Sequence, residues 1–292
     1  MPTLLITTLI AGACGGGSGD EPSATPTTAA ATTASPSTTT QATDNAEAAT
    51  EEVRFQSDEF DLVGDLVLPG GAGPFPAVVV VHGSGPQTRY TTPGRGYIQR
   101  VFGEAGYAVL TWDKPGSGAS TGSFDEEHTL TQRAQILADG IAFLTEHAAI
   151  DPARIGLWGI SQAGWVMPLA LELTDDISFM IVVSGGGEDS IEQMGYQIGA
   201  QLVCGGLPQD QGDLVMKYGP QAAKGTTYEL YVEAMEVLLE IPGMDQYVGP
   251  GMASEEDWEP WSPEIDAYLD PMDIIEQTTI PVLAVFGDLD KY

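Results

Sequence analysis

Residues Ala77-Val78-Val79-Val80-Val81 form an unbroken apolar run made almost wholly of β-branched side chains. β-Branched residues favour extended backbone. In a strand, successive side chains point to opposite faces. A run that is apolar on both faces cannot leave either one in water. It belongs inside a sheet covered on both sides, the setting of mainly parallel sheets. The run stops abruptly at His82-Gly83-Ser84-Gly85-Pro86, a loop in which no strand continues.

The same pattern recurs along the chain. Val53–Ser57 and Phe60–Pro69 read as a pair of strands, Tyr107–Trp112 and Ile155–Ile160 as buried strands, and Phe179–Val183 and Pro281–Phe286 as two more. Between them, Tyr97–Gly106, Thr129–His147 and Gln162–Leu173 read as helices. In Thr129–His147 an apolar stripe runs through Leu130, Ile136, Leu137, Ile141, Phe143 and Leu144. Strands alternating with helices predict an α/β fold, a mostly parallel central sheet with helices on both faces. Gly185–Thr279 breaks the alternation. It is too long for a loop, is helical over Ile191–Val203 and Tyr228–Leu239, and reads as a helical cap inserted over the sheet's C-terminal edge. The expected division is a sheet core over residues 53–184 and 280–292, with the cap over 185–279.

Strand Ile155–Ile160 runs straight into Gly159-Ile160-Ser161-Gln162-Ala163-Gly164. This matches G-x-S-x-G, with Ala163 in the second glycine position. The physics asks for small neighbours: a serine on a tight strand-to-helix turn brings the residues two before and two after it together. Ser161 is the candidate nucleophile. The backbone N–H of Gln162, at the helix N-terminus, is placed to stabilise an oxyanion. The N–H of Ser84, in the loop after Val81, is the candidate second donor, and Gly83 and Gly85 let that backbone come close to a bound carbonyl. His82 is expected to hold this loop rather than to catalyse.

The composition excludes several classes. The chain has 292 residues, with Lys+Arg 10 and Asp+Glu 42, a formal charge of −32. A nucleic-acid binder needs a basic stripe, and an anionic membrane surface also repels such a chain. Two cysteines, Cys14 and Cys204, exclude a disulfide scaffold or a cysteine-rich zinc site. No apolar run reaches the roughly 20 residues of a membrane-spanning helix.

Three segments in order carry a family resemblance: Val81-His82-Gly83-Ser84-Gly85-Pro86-Gln87-Thr88-Arg89, then Trp112-Asp113-Lys114-Pro115-Gly116-Ser117-Gly118, then Gly156-Leu157-Trp158-Gly159-Ile160-Ser161-Gln162-Ala163-Gly164-Trp165. They resemble the α/β-hydrolase superfamily, and within it bacterial serine esterases of the EstD-like kind, related to dienelactone hydrolases and prolyl-oligopeptidase-like proteins. The resemblance implies a Ser-His-Asp triad in the chain order serine, acid, histidine, with no metal and no cofactor. Ser161 maps to the nucleophile. Asp290, closing Gly287-Asp288-Leu289-Asp290 after Pro281–Phe286, maps to the acid, with Asp288 as the fallback. The family histidine follows the acid by one further strand. The chain's three histidines, His82, His128 and His147, all precede Asp290. The expectation is a chain lacking its last strand, last helix and triad histidine, which leaves Pro281–Phe286 as an edge strand.

At the other end, Leu9-Ile10-Ala11-Gly12-Ala13-Cys14 resembles a bacterial lipobox without its basic n-region, with an ordinary cleaved secretory signal as the alternative. Cys14 is the candidate lipidation site of a signal over residues 1–14. Residues 15–52, rich in Thr, Ala, Ser and Pro, read as a disordered tether. Together these resemble a lipid-anchored protein on the outer face of a bacterial membrane, with membrane contact through the anchor alone.

The expected reaction is hydrolysis of a small-molecule carboxylic ester. A peptidase or thioesterase of the same fold is the alternative, with cap carboxylates as a ligand for a substrate ammonium. A non-catalytic surface binding module is the alternative of another class. Cys204 is expected as a buried small hydrophobe, and Arg89 as a loop ion pair or a ligand for a substrate carboxylate. Trp165, Trp258 and Trp261 are expected to line an acyl pocket or to pack the cap. The oligomeric state is open.

Overall fold

Seven strands form one sheet in the order β1-β2-β4-β3-β5-β6-β7. The computed structural model describes residues 48–91, 95–123, 129–187, 189–249, 251–259 and 270–286. β1 (Ala49–Ser57) and β2 (Phe60–Leu68) pair antiparallel as a hairpin, and β2 pairs antiparallel with β4 (Ala108–Trp112). From β4 onward every pairing is parallel, through β3 (Phe75–Val81), β5 (Ile150–Ile160), β6 (Phe179–Val183) and β7 (Val282–Val285). β1 opens at Ala49, ahead of Val53, so Ala49–Glu52 belong to the sheet and not to the tether.

The β-branched run behaves as its two-sided apolar character demands. Val78, Val79 and Val80 are completely buried. Ala77, Val79 and Val81 join the larger core with α2 (Thr129–Glu146) and α3 (Ala163–Ala170). Val80 turns to the opposite face and packs with Ile98 of α1 (Arg95–Glu104) and Val109 of β4. Each large aliphatic side chain sealed in this way contributes about 1.5–3 kcal/mol relative to exposure. α3 stops at Ala170, earlier than the expected Leu173, in turns closed by Leu171, Glu172 and Leu173 amides.

After β6 the chain leaves the sheet for α4 (Ser190–Cys204), α5 (Gln209–Lys224), α6 (Tyr228–Leu238) and the short α7 (Asp245–Val248). These helices enclose an apolar cluster of their own, built on Val215, Met235, Leu238, Ile241 and Met244. α5 is an element the sequence reading missed: Pro220 lies inside it and Gly212 and Gly219 interrupt it. α8 (Met272–Gln277) is the crossover helix leading into β7, within the span assigned to the cap. Cys204 is exposed, contrary to the expectation of burial. The face of α4 that packs on its neighbours carries Ile198 and Leu202, and a residue two places further on points elsewhere. Among the described residues no helix is long and apolar enough to cross a membrane.

β7 is an edge of the described sheet, and its Val282, Leu283 and Val285 are 41–55% exposed. The turn carrying Asp288 and Asp290 lies outside the described residues, as do Cys14, His128 and Trp261.

Candidate active site

Parallel strands place their C-terminal ends on one edge, and the candidate residues follow those ends. β3 and β5 pair with Val81 opposite Gly159. Two residues further along each strand stand Gly83 and Ser161. A methyl group on Gly83 would lie 3.5 Å from Ser161 Cβ, so the loop after β3 touches the turn after β5. β6 and β7 pair with Val183 opposite Val285, which brings the end of β7 to the same edge.

Ser161 is exposed and holds φ at 56°, the left-handed region that non-glycine residues avoid. The strain is maintained by close packing. A Cβ on Gly159 would stand 2.6 Å from the Ala163 Cβ, which is why the residues flanking Ser161 at this spacing are so small. A Cβ on Gly185, in the turn after β6, would stand 2.0 Å from the Ser161 carbonyl oxygen, and the Ser161 amide donates to the Val183 carbonyl at 2.9 Å. Gln162 is the N-cap of α3, so its amide sits where the helix presents its free N–H groups. Ser161 thus stands on an exposed strand-to-helix turn with a strained backbone angle.

The loop after β3 is organised by polar contacts. The Arg133 guanidinium donates to the His82 carbonyl and, with its other arm, to Oε1 of Gln162. Lys114 Nζ donates to the carbonyls of Gly83 and Gly85, each at 2.6 Å. Gln87 Nε2 donates to the Ser84 carbonyl at 3.1 Å. Asp113 ties the loop to its neighbour: Oδ1 accepts from the Arg89 amide at 2.7 Å and Oδ2 from the Ala119 amide at 2.8 Å. Burial first, and then the nearby Arg133, push the Lys114 amine down to about 5. A neutral amine retains two N–H donors, one for each carbonyl.

His82 is sealed behind this loop, with a hydrogen bond to the Trp112 backbone and its ring edge-on to the Trp112 indole at 5.4 Å. Its Nε2 has no hydrogen-bond partner. Burial above all, with the Arg133 guanidinium nearby, holds the imidazole well below its ordinary pKa, so it is neutral. His147 stands just before β5, at the end of the strand opposite Ser161, with Nε2 3.4 Å from Glu51. Neither described imidazole is placed to serve Ser161.

Arg89 is a loop ion pair: it meets Asp65 at 3.4 Å and Glu52 at 3.1 Å and is buried. Trp165 is core, and Trp258 packs against Tyr228 and Tyr231 in the cap region. Sequence reasoning missed Lys114 and Arg133 as site residues. Arg133 left a signal, because it occupies the apolar stripe of α2 between Leu130 and Leu137, where a charge must have a partner.

A family model described as X-Pro dipeptidyl-peptidase (S15 family) matches residues 58–287, which include the loop after β3, the Ser161 turn and the cap. The chain is 34% identical over 122 residues to Thiohydrolase aneE of Aspergillus aculeatus, covering 41% of this chain and 37% of that protein. It is 31% identical over 142 residues to Polyketide transferase claH of Penicillium crustosum, covering 46% of this chain and 43% of that one. The chain therefore spans less than half the length of these curated relatives. Among solved structures, DcsB in complex with its substrate analogue superposes with a TM-score of 0.50 at 18% identity, over 82% of this chain and 81% of that one. Strand order, the strained serine turn and the matched family model agree: the chain has the α/β-hydrolase fold and belongs to the X-Pro dipeptidyl-peptidase (S15) family.

Proposed function

We propose that the protein hydrolyses carboxylic esters through an acyl-enzyme on Ser161. The observation that carries this reading is the exposed serine at φ 56°, in contact distance of a glycine loop on the neighbouring strand. In the proposed reaction a histidine, oriented by Asp290 or Asp288, accepts the Ser161 hydroxyl proton as Oγ attacks the ester carbonyl. The Ser84 and Gln162 amides receive the oxyanion. The alcohol leaves with the proton, and water, activated by the same base, releases the acid and restores Ser161. Since neither described imidazole serves Ser161, the base comes to this edge from outside the described residues.

Membership of a peptidase family and likeness to a thiohydrolase support a second reading in which the acyl group arrives on an amine or a sulfur. For a peptidase that anchors a substrate ammonium, cap carboxylates must be available. Asp189 and Glu192, where the cap begins, already pair with Lys224 at 3.2 and 2.9 Å, and Asp189 also caps α4. These two carboxylates are therefore already paired and are not the ones a substrate ammonium would meet.

The test is fluorophosphonate labelling of the full-length gene product beside Ser161→Ala, followed by turnover of p-nitrophenyl butyrate, a butyryl thioester and an aminoacyl anilide. Labelling confined to Ser161, with ester turnover fastest, is expected. A folded protein with no label, or label that survives Ser161→Ala, overturns the reading. Faster anilide turnover replaces the esterase by the peptidase. The lipid anchor at Cys14 is a separate proposal, checked by the mass of the mature N-terminal peptide.

A further inference from the structure

We propose that Arg133 and Lys114 are positioning residues that set the direction of the oxyanion-binding amides. The inference rests on the reading of Ser161 as an acyl-transfer nucleophile. Four successive carbonyls, those of His82, Gly83, Ser84 and Gly85, accept bonds from Arg133, Lys114, Gln87 and Lys114 in turn. In a trans peptide the carbonyl of one residue and the N–H of the next point in opposite directions. Lys114 is 2% exposed, so a Gly83 carbonyl drawn toward it turns the Ser84 N–H to the open side of the loop, where Ser161 stands.

The need for such bracing follows from the sequence. Gly83 and Gly85 let the backbone approach Ser161, and the same freedom lets their peptides rotate. Gly85 already sits at φ 72°. A loop with this freedom presents its amides to solvent in many directions unless its carbonyls are held. Arg133 adds a second link, because its other arm holds the side chain of Gln162, the residue bearing the other proposed donor. One buried guanidinium from α2 thereby fixes the separation between the two halves of the anion site. It touches no substrate.

The test uses Arg133→Met, Arg133→Lys and Lys114→Met in the full-length gene product, with rates normalised to the Ser161 sites titrated by fluorophosphonate. Arg100→Met, which removes an exposed pairing with Glu104, is the control for lost charge. Removing one oxyanion donor outright costs about 100–1,000-fold in kcat, so a misdirected donor is expected to cost about 50-fold. KM is expected to stay within about twofold, because the interaction is made in the transition state. The inhibition constant of a trifluoromethyl ketone, whose adduct with Ser161 bears the oxyanion, is expected to rise in parallel. Arg133→Lys, with one donor group in place of two, is expected to recover part of the loss. A variant that only folds poorly lowers the number of titrated sites and leaves kcat per site and the ketone constant unchanged, which overturns the inference. Wild-type turnover without Arg133 dependence overturns the inference alone. Wild-type protein without Ser161-dependent turnover overturns the hydrolase reading, and the inference with it.

Discussion

Two turns meet at the C-terminal edge of β3 and β5, and different forces hold them. The Ser161 turn is held by the absence of side chains: Gly159, Ala163 and Gly185 let three backbones close around a strained serine. The loop at His82–Gly85 is held by the presence of side chains, with Arg133, Lys114 and Gln87 each reaching in from outside it. The first arrangement is insensitive to charge and intolerant of a methyl group. The second has room for atoms and depends on polar partners. The Ser161 turn needs an unusual backbone angle, which sterics can impose. The carbonyls of His82–Gly85 need hydrogen-bond partners, which only donors reaching in can supply.

Substitutions at the two turns separate these forces. The largest expected effect is on rate: Ser161→Gly removes the proposed nucleophile, and kcat for an ester is expected to fall by about four orders of magnitude. The same change relieves the left-handed strain, so the urea unfolding midpoint is expected to rise, by about 1 kcal/mol in stability. A fall in stability would break the steric account of the turn. Next comes Gly185→Ala, whose new methyl collides with the Ser161 carbonyl; overpacking of this kind costs about 3 kcal/mol, read by urea unfolding at low and high salt with the same result.

Lys114→Met follows. It leaves the buried carbonyls of Gly83 and Gly85 without their donor, a loss of about 2 kcal/mol. Its pH dependence is distinctive. The Lys114 amine is pushed down to about 5 in the folded protein, against an ordinary lysine value of 10.5. Between these values the unfolded chain binds a proton that the folded chain does not, so this group makes stability rise with pH across that window. Unfolding midpoints at pH 7 and pH 9 are expected to differ less in Lys114→Met than in the parent. An equal difference would show that the amine is charged when folded. The smallest effect is that of Gln87→Leu, which removes one partly buried bond to the Ser84 carbonyl and is expected to cost about 1 kcal/mol.

The sequence made the first turn legible and the second only in outline, for the same physical reason. Gly159, Ser161 and Ala163 act on one another across a few residues, so their constraint is written as a local pattern. The β-branched run before His82 is similarly local, and it led to the parallel sheet and to the loop beside the serine. Arg133 acts on His82 and Gln162, which are distant in sequence, and its partners become visible only when β3, β5 and α2 are assembled. Cys204 was misjudged because its apolar neighbours were read without the helix phase that sets which side of α4 is covered. Arg89 shows the converse: a loop arginine finds Asp65 and Glu52, contacts set by how the hairpin lies against the loop.

The turn at Ser184–Gly187 has a consequence for how such a protein can change over generations. Ser184, Gly186 and Gly187 all adopt left-handed backbone angles, and Gly185 rests on the serine turn, so this short stretch is committed to the Ser161 turn. The cap starts immediately afterwards and closes around an apolar cluster of its own. Mutations within α4–α7 are therefore selected against the packing of that cluster, while the four residues before it answer to Ser161. The α4–α7 helices and the Ser161 turn can therefore change independently within one chain. An engineer exchanging α4–α7 for another helical insert should preserve Ser184–Gly187 and expect the Ser161 turn to survive the graft.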